Sequence, residues 1–263
     1  DVAGYVATSK GVAAPASAMV NEDARALAEG LLSGERKAIL LGNAAAQHPQ
    51  ASQLLALAQW LGDHTGATVG YLGEAGNSVG AQWVNALPGE GGLNAGQMLS
   101  QPMKALLLLD VEPQVDAADA AAARAALAGS GLVVALTQYR DALVDNADVL
   151  LPIAAFTETA GTYVNAEGLV QSVQGVVPPK GDARPAWKVL RVLGNLLGLE
   201  GFAHETADQV RAEALGDVAA LASRLNNRTS VSIAPGAPSQ GLERIADVPI
   251  YATDAVVRHA SSL

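Results

Sequence analysis

Apolar positions along the chain gather into short continuous runs separated by longer stretches of helical periodicity. The runs are "KAILLG" (37–42), "ATVGYL" (67–72), "KALLLLD" (104–110), "LVVALT" (from Leu132) and "ADVLLPI" (147–153). Each has strand length, and an unbroken apolar run marks a strand buried on both faces rather than on one. Between them lie amphipathic segments with start and stop signals. Asn21 is placed as an N-cap, with Glu22 and Asp23 in the first turn, opening a helix to about Leu32. Pro49 suits the first turn of a helix carrying Leu54, Leu55, Leu57, Ala58 and Leu61 to a stop at Gly62. Further helices are predicted around 79–86 and 116–128.

Beyond Pro152 the period changes. "GTYVNAEGLVQSVQGVV" (161–177) alternates and turns at Asn165–Gly168, which predicts a hairpin. Helices are then expected from Pro185 to Leu197, with Trp187, Leu190 and Leu193 on the core, and from about Thr206 to Leu225. The alternation predicts an α/β fold: a doubly wound, mostly parallel sheet of about five strands flanked by helices, with a C-terminal helical extension and tail. The expected division is a linker or edge segment at 1–20, an α/β dinucleotide-binding-like domain at 21–177, a helical extension at 178–225 and a Pro/Gly-rich tail at 226–263.

The start, Asp1-Val2-Ala3, reads as a cut inside a longer protein, lacking an initiator Met and a signal-like apolar region. Twenty-six acidic against 16 basic residues, a net charge of −10, argue against a nucleic-acid partner. No apolar run approaches the roughly 20 residues that span a bilayer. With no cysteine, disulfides, thiol catalysis and cysteine-held clusters are excluded from this segment.

"GNSVG" (76–80) fits G-x-S-x-G, the pattern of a nucleophilic serine. A serine hydrolase using Ser78 is nevertheless the least favoured reading. An elbow serine sits directly between strand and helix, whereas Gly73-Glu74-Ala75-Gly76 separates Ser78 from the strand. Ligands of open α/β sheets bind beyond the carboxyl ends of strands, which points to Gly42 and Asn43, to Gly73–Gly80 and to Asp110–Glu112. No G-x-G-x-x-G or P-loop joins strand to helix there. His48, His64, His204 and His259 lack metal-ligand spacing, so no metal site is expected. Glu158 and Glu167 flank the Gly161 turn and are read as loop-holding carboxylates. Asn227-Arg228-Thr229 fits an N-glycosylation acceptor without a secretory context.

Between residues 104 and 198, "KALLLLDVEPQVD", "ALTQYRDALVDNADVLLPIAAFTETAGTYVNAEGLVQ" and "KGDARPAWKVLRVLGNLLGL" follow one another closely. With "GNSVGAQWVNALPG" and "LERIADVPIYATDAVVRHASSL", they resemble the C-terminal part of the large iron–sulfur subunits of bacterial NADH-quinone oxidoreductase, respiratory complex I. That region is similar to the molybdopterin oxidoreductase family, which includes formate dehydrogenases. The resemblance implies a Rossmann-like domain. Asp148, Leu151, Pro152, Gly161, Thr162, Asn165, Glu167, Gly168 and Gln171 match the family pattern. Leu169 replaces an Arg of the pattern, and Asp110 replaces its usual Gly.

Both departures disfavour an anionic dinucleotide. The resemblance therefore implies a cofactor-free domain of the peripheral arm, on the cytoplasmic side of the bacterial inner membrane. Iron–sulfur clusters are expected in the preceding half of the subunit, and that half and neighbouring subunits are the expected partners. Gly42, Asn43, Asn77, Ser78, Asp110, Glu112 and Asn165 are the candidates for a vestigial pocket. The alternative is a pterin-guanine-dinucleotide-binding domain of an active molybdenum oxidoreductase.

Overall fold

The structure, a computed structural model, describes residues 1–73, 75–221, 223, 225–234, 242 and 249–262. It divides into two compact units, one formed by Asp1–Gly76 with Asn226–Leu263, the other by Asn77–Leu225.

The first unit opens with α1 (Val2–Lys10), where a linker is expected from sequence. Ala3, Val6 and Ala7 are buried, and α1 packs on α2 (Glu22–Ser33), which the Asn21 side chain caps by accepting from the Ala24 N–H at 2.8 Å. Small side chains let the helices approach, and that packing orders a segment of weak sequence pattern. Strand β1 (Ala38–Leu41), the short α3 (Asn43–Ala46), α4 (Ala51–Thr65) and β2 (Thr68–Tyr71) follow. β1 and β2 pair in parallel, Ala38 opposite Thr68. Helix α4 runs through Gly62, the expected stop, to Gly66 at φ +75°. A Cβ at Gly62 would lie 2.6 Å from Val69 Cγ2. That glycine lets the helix approach β2, while Gly66 supplies the left-handed cap.

The second unit contains α5 (Ser78–Trp83), α6 (Ala95–Leu99), β3 (Leu106–Leu109), α7 (Pro113–Asp116), α8 (Ala120–Gly129), β4 (Val133–Thr137), β5 (Val149–Pro152), the hairpin strands β6 (Gly161–Val164) and β7 (Val170–Val173), α9 (Ala186–Leu196), α10 (Ala207–Leu215) and α11 (Val218–Leu221). The chain then returns to the first unit with α12 (Ile250–Thr253) and α13 (Ala255–Arg258).

β3, β4 and β5 form a parallel sheet in that order. The five parallel strands thus fall two and three to a sheet, flanked by helices. Asp148 sets the β4–β5 register: its N–H donates to the Val133 carbonyl, and its carboxylate accepts from the Val133 N–H at 2.7 Å. Leu106, Leu108, Leu127, Val133, Ala135 and Leu143 make the core. Along β3 burial alternates, so Leu107 and Leu109 stay exposed where a strand covered on both faces is expected.

A second cluster joins Trp83, Val164 and Leu215. The expected helix from Thr206 is interrupted, because Gly216 ends α10 at φ +56°. In α9 only Gly194 is fully buried, and Trp187, Leu190 and Leu193 are half-buried, contrary to the core placement expected for them. Trp187 and Leu190 border cavities instead. The Pro/Gly-rich stretch 235–241, part of the expected tail, lies outside the described residues.

Candidate functional site

The candidate residues fall into three groups. Gly42 and Asn43 belong to the first unit. Gly42 caps α3 in extended conformation, and a Cβ added to it would meet open space.

Asp110 and Glu112 stand at the carboxyl end of β3. Asp110 has φ +51°, the left-handed region that favours glycine. Its N–H donates to the Leu136 carbonyl, and its Oδ2 accepts from the Gln138 side-chain amide at 2.8 Å. Parallel register places Leu109 beside Leu136, so residues just beyond both strands meet. Burial pushes the Asp110 carboxyl above the usual range. The Gln138 hydrogen bond opposes this, and the charges of Glu112 and Asp116 add to it. Glu112 is buried, and its N–H donates to Asp116 Oδ2 at 2.6 Å. Asp116 and Gln138 were not among the sequence candidates, and only the parallel register brings Gln138 to Asp110.

Asn77, Ser78 and Asn165 lie around the β6–β7 hairpin. Ser78 is the exposed first residue of α5, with Asn77 as the preceding cap. Asn77 Oδ1 accepts from the Val164 N–H at 2.8 Å. Asn165 folds the turn, its Oδ1 accepting from the Glu167 and Leu169 N–H groups at 3.0 and 2.9 Å. Gly168 completes the turn at φ +81° beside the Trp83 ring. The asparagine side chains are thus engaged with backbone. Leu169, at the position of the family Arg, is exposed. A cavity of about 400 Å³ adjoins this group, lined by Asn77, Gly80, Thr162, Ser172, Trp187 and Arg211 among others.

Other carboxylates and imidazoles are likewise tied locally. Glu158 accepts from the Ala155 N–H at 3.1 Å, holding its loop as expected. Glu167 is exposed in the hairpin turn. His48 Nδ1 accepts from the Gln50 N–H, His64 stacks on Trp60 at 4.1 Å, His204 pairs with Glu213 at 2.6 Å, and His259 follows α13. Among the described residues no three His, Asp or Glu side chains form a metal-binding group. No described helix is long and apolar enough to cross a membrane.

The chain belongs to the molybdopterin oxidoreductase family, whose model it matches over residues 13–196, from before β1 through the β6–β7 hairpin to the end of α9. Within that breadth it is similar to subunits of NADH dehydrogenases. The "NADH dehydrogenase [ubiquinone] iron-sulfur protein 1, mitochondrial" of Solanum tuberosum is 30% identical over 139 residues, 50% of this chain and 19% of that protein. The "NADH-ubiquinone oxidoreductase 78 kDa subunit, mitochondrial" of Candida albicans is 51% identical over 51 residues, 19% of this chain and 7% of that protein. Its Neurospora crassa counterpart is 51% identical over 53 residues, 20% of this chain and 7% of that protein. The matches span at most about a fifth of these relatives' length.

The family name implies a pterin cofactor, and the residues at the β3 strand end suit one poorly. A pterin dinucleotide presents phosphates, whereas Asp110, Glu112 and Asp116 crowd three carboxyl groups there.

Proposed function

We propose that this chain is a cofactor-free structural domain of the large iron–sulfur subunit of a proton-pumping NADH:quinone oxidoreductase. In this role it packs on the cluster-bearing half of the same subunit and on neighbouring peripheral-arm subunits, on the cytoplasmic side of the membrane. Electrons pass from NADH toward quinone through clusters held elsewhere in the subunit.

The observation that carries this reading is the chemistry at the end of β3. A left-handed Asp110 with a raised carboxyl pKa, beside buried Glu112, occupies ground where a phosphate-binding loop needs glycine and backbone N–H donors. Engagement of Asn77 and Asn165 with backbone supports it. Similarity to NADH dehydrogenase subunits supplies the assembly.

The test is native mass spectrometry of the purified chain, followed by acid oxidation and a fluorescence assay for pterin. A bare polypeptide mass without pterin fluorescence is the expected result. Family membership itself favours the second reading, a retained pterin-guanine dinucleotide, and a bound mass of that size would replace the first.

A further inference from the structure

Beside the cavity at Asn77 lies a second, of about 250 Å³, between α9 and α10. Its walls include Trp187, Leu190, Phe202, Val210 and Ala214, and three of these, Trp187, Val210 and Ala214, also line the larger cavity. Phe202 is seated against Gly194, where a Cβ would collide with its ring. The residues from Gly201 to Ala214 lie beyond the family match, which ends at 196. One wall is therefore supplied by a segment outside the matched span.

Arg191 also lines this cavity, and its Nε is buried without a hydrogen-bond partner. Among the described residues the guanidinium has no ion pair. Glu213, the acidic side chain in the lining, bonds His204 at 2.6 Å instead. A buried charged donor without an acceptor is costly, and such groups in folded proteins are nearly always satisfied. Apart from His204 and Glu213, which bond each other, the walls are mostly aromatic and aliphatic and offer Arg191 no acceptor.

We propose that this cavity binds a small monocarboxylate with an apolar body, its carboxylate accepting from Arg191 and its ring or chain lying against Trp187 and Phe202. A guanidinium recognises a carboxylate by paired, charge-assisted hydrogen bonds. An apolar hollow with few polar groups suits the remainder of such a ligand. A doubly charged phosphate fits less well, because Glu213 shares the lining and, among the described lining residues, Arg191 is the one cation without an ion pair. The proposal does not depend on the structural role proposed above.

The test uses the 263-residue chain with ¹⁵N-labelled indoles, whose three Trp are Trp60, Trp83 and Trp187. A Trp187→Phe variant assigns the Trp187 resonance. The probes are 4-phenylbutyrate, the neutral 4-phenylbutanol and inorganic phosphate. The Trp187 indole should shift saturably with 4-phenylbutyrate while Trp60 stays fixed. The alcohol should bind about tenfold more weakly, as loss of a charge-assisted pair predicts, and phosphate should not shift Trp187. Arg191→Met should abolish discrimination between acid and alcohol. Ala214→Leu, which narrows the cavity and leaves Arg191 in place, should weaken both probes. Unchanged Trp60 and Trp83 resonances certify that each variant is folded. No saturable shift at millimolar probe, equal binding of acid and alcohol, or acid binding indifferent to Arg191→Met would each overturn the proposal.

Discussion

Asn77 accepts a hydrogen bond from the Val164 N–H across 87 residues of chain, and thereby fixes the "GNSVG" loop to the first strand of the hairpin. Within the G-x-S-x-G pattern this contact gives Asn77 a structural task. Gly80 follows from the same geometry, because a Cβ there would strike Asn77 Oδ1.

Asn77→Ala should therefore cost about 1–3 kcal/mol, the penalty of leaving a partly buried N–H without its acceptor. Gly80→Ala should also destabilise, by forcing Asn77 aside. Denaturant melts of both and of the double variant check the coupling: the double variant should lose less than the sum of the singles. Strict additivity would show that the two positions act independently.

Asp110 occupies a left-handed backbone conformation with its carboxyl pKa raised, chiefly by burial. Asp110→Gly should stabilise the fold at neutral pH by about 1–2 kcal/mol, from relief of backbone strain. The raised pKa gives a definite sign. This group's contribution is most favourable below its unfolded pKa, near 3.9, and is lost as pH rises through the higher folded value. The stability difference between Asp110→Asn and the parent should therefore grow in the variant's favour as pH rises across that window. A difference independent of pH would place the carboxyl in water.

Arg228 clasps Asp63 with two hydrogen bonds of 2.7 and 2.8 Å, and this bond pair holds the Asp63 carboxyl below its usual range. Both side chains are well exposed, so a double-mutant cycle should return only a small coupling that falls with added salt. The sign is opposite to that of Asp110: this contribution is present above the unfolded Asp pKa and lost as pH falls through the folded one. Gln59 contributes alongside, accepting from the Thr229 N–H at 3.0 Å and donating to the Asn227 carbonyl. Hydrogen exchange at Thr229 should accelerate in Gln59→Ala; unchanged exchange would mean that the amide is protected otherwise.

Trp187 is half-buried, so Trp187→Ala should cost less than the roughly 3–5 kcal/mol of a fully buried aromatic, about 1–2 kcal/mol. Gly194→Ala should cost about 1–3 kcal/mol, because the methyl group meets the Phe202 ring. If Gly194→Ala melts with the parent, Phe202 has room to move away.

The parallel strands were legible because each is a short apolar run, and Asn21 and the Asn165 turn declared themselves through local hydrogen-bonding chemistry. What escaped the sequence depends on partners far along the chain. The helix at Val2–Lys10 is ordered by packing of Ala3, Val6 and Ala7, small residues without a strong periodic signature. Gly62 reads as a stop until Val69 is seen against it. The Asp110 candidate was legible as a strand end, but Gln138 reaches it only through the β3–β4 register. Trp187 looked like core because α9 is amphipathic, a pattern that does not distinguish a packed neighbour from a cavity.

The Asn227–Val69 contact, in which the Asn227 amide donates to the Val69 carbonyl at 2.8 Å, joins residues 158 positions apart within one unit. It also engages the asparagine of the apparent glycosylation motif. The first unit is therefore sewn from two distant stretches of polypeptide, while Asn77–Leu225 is a single continuous piece. During synthesis the β2 side of this clasp waits for its partner until the whole intervening unit has been made.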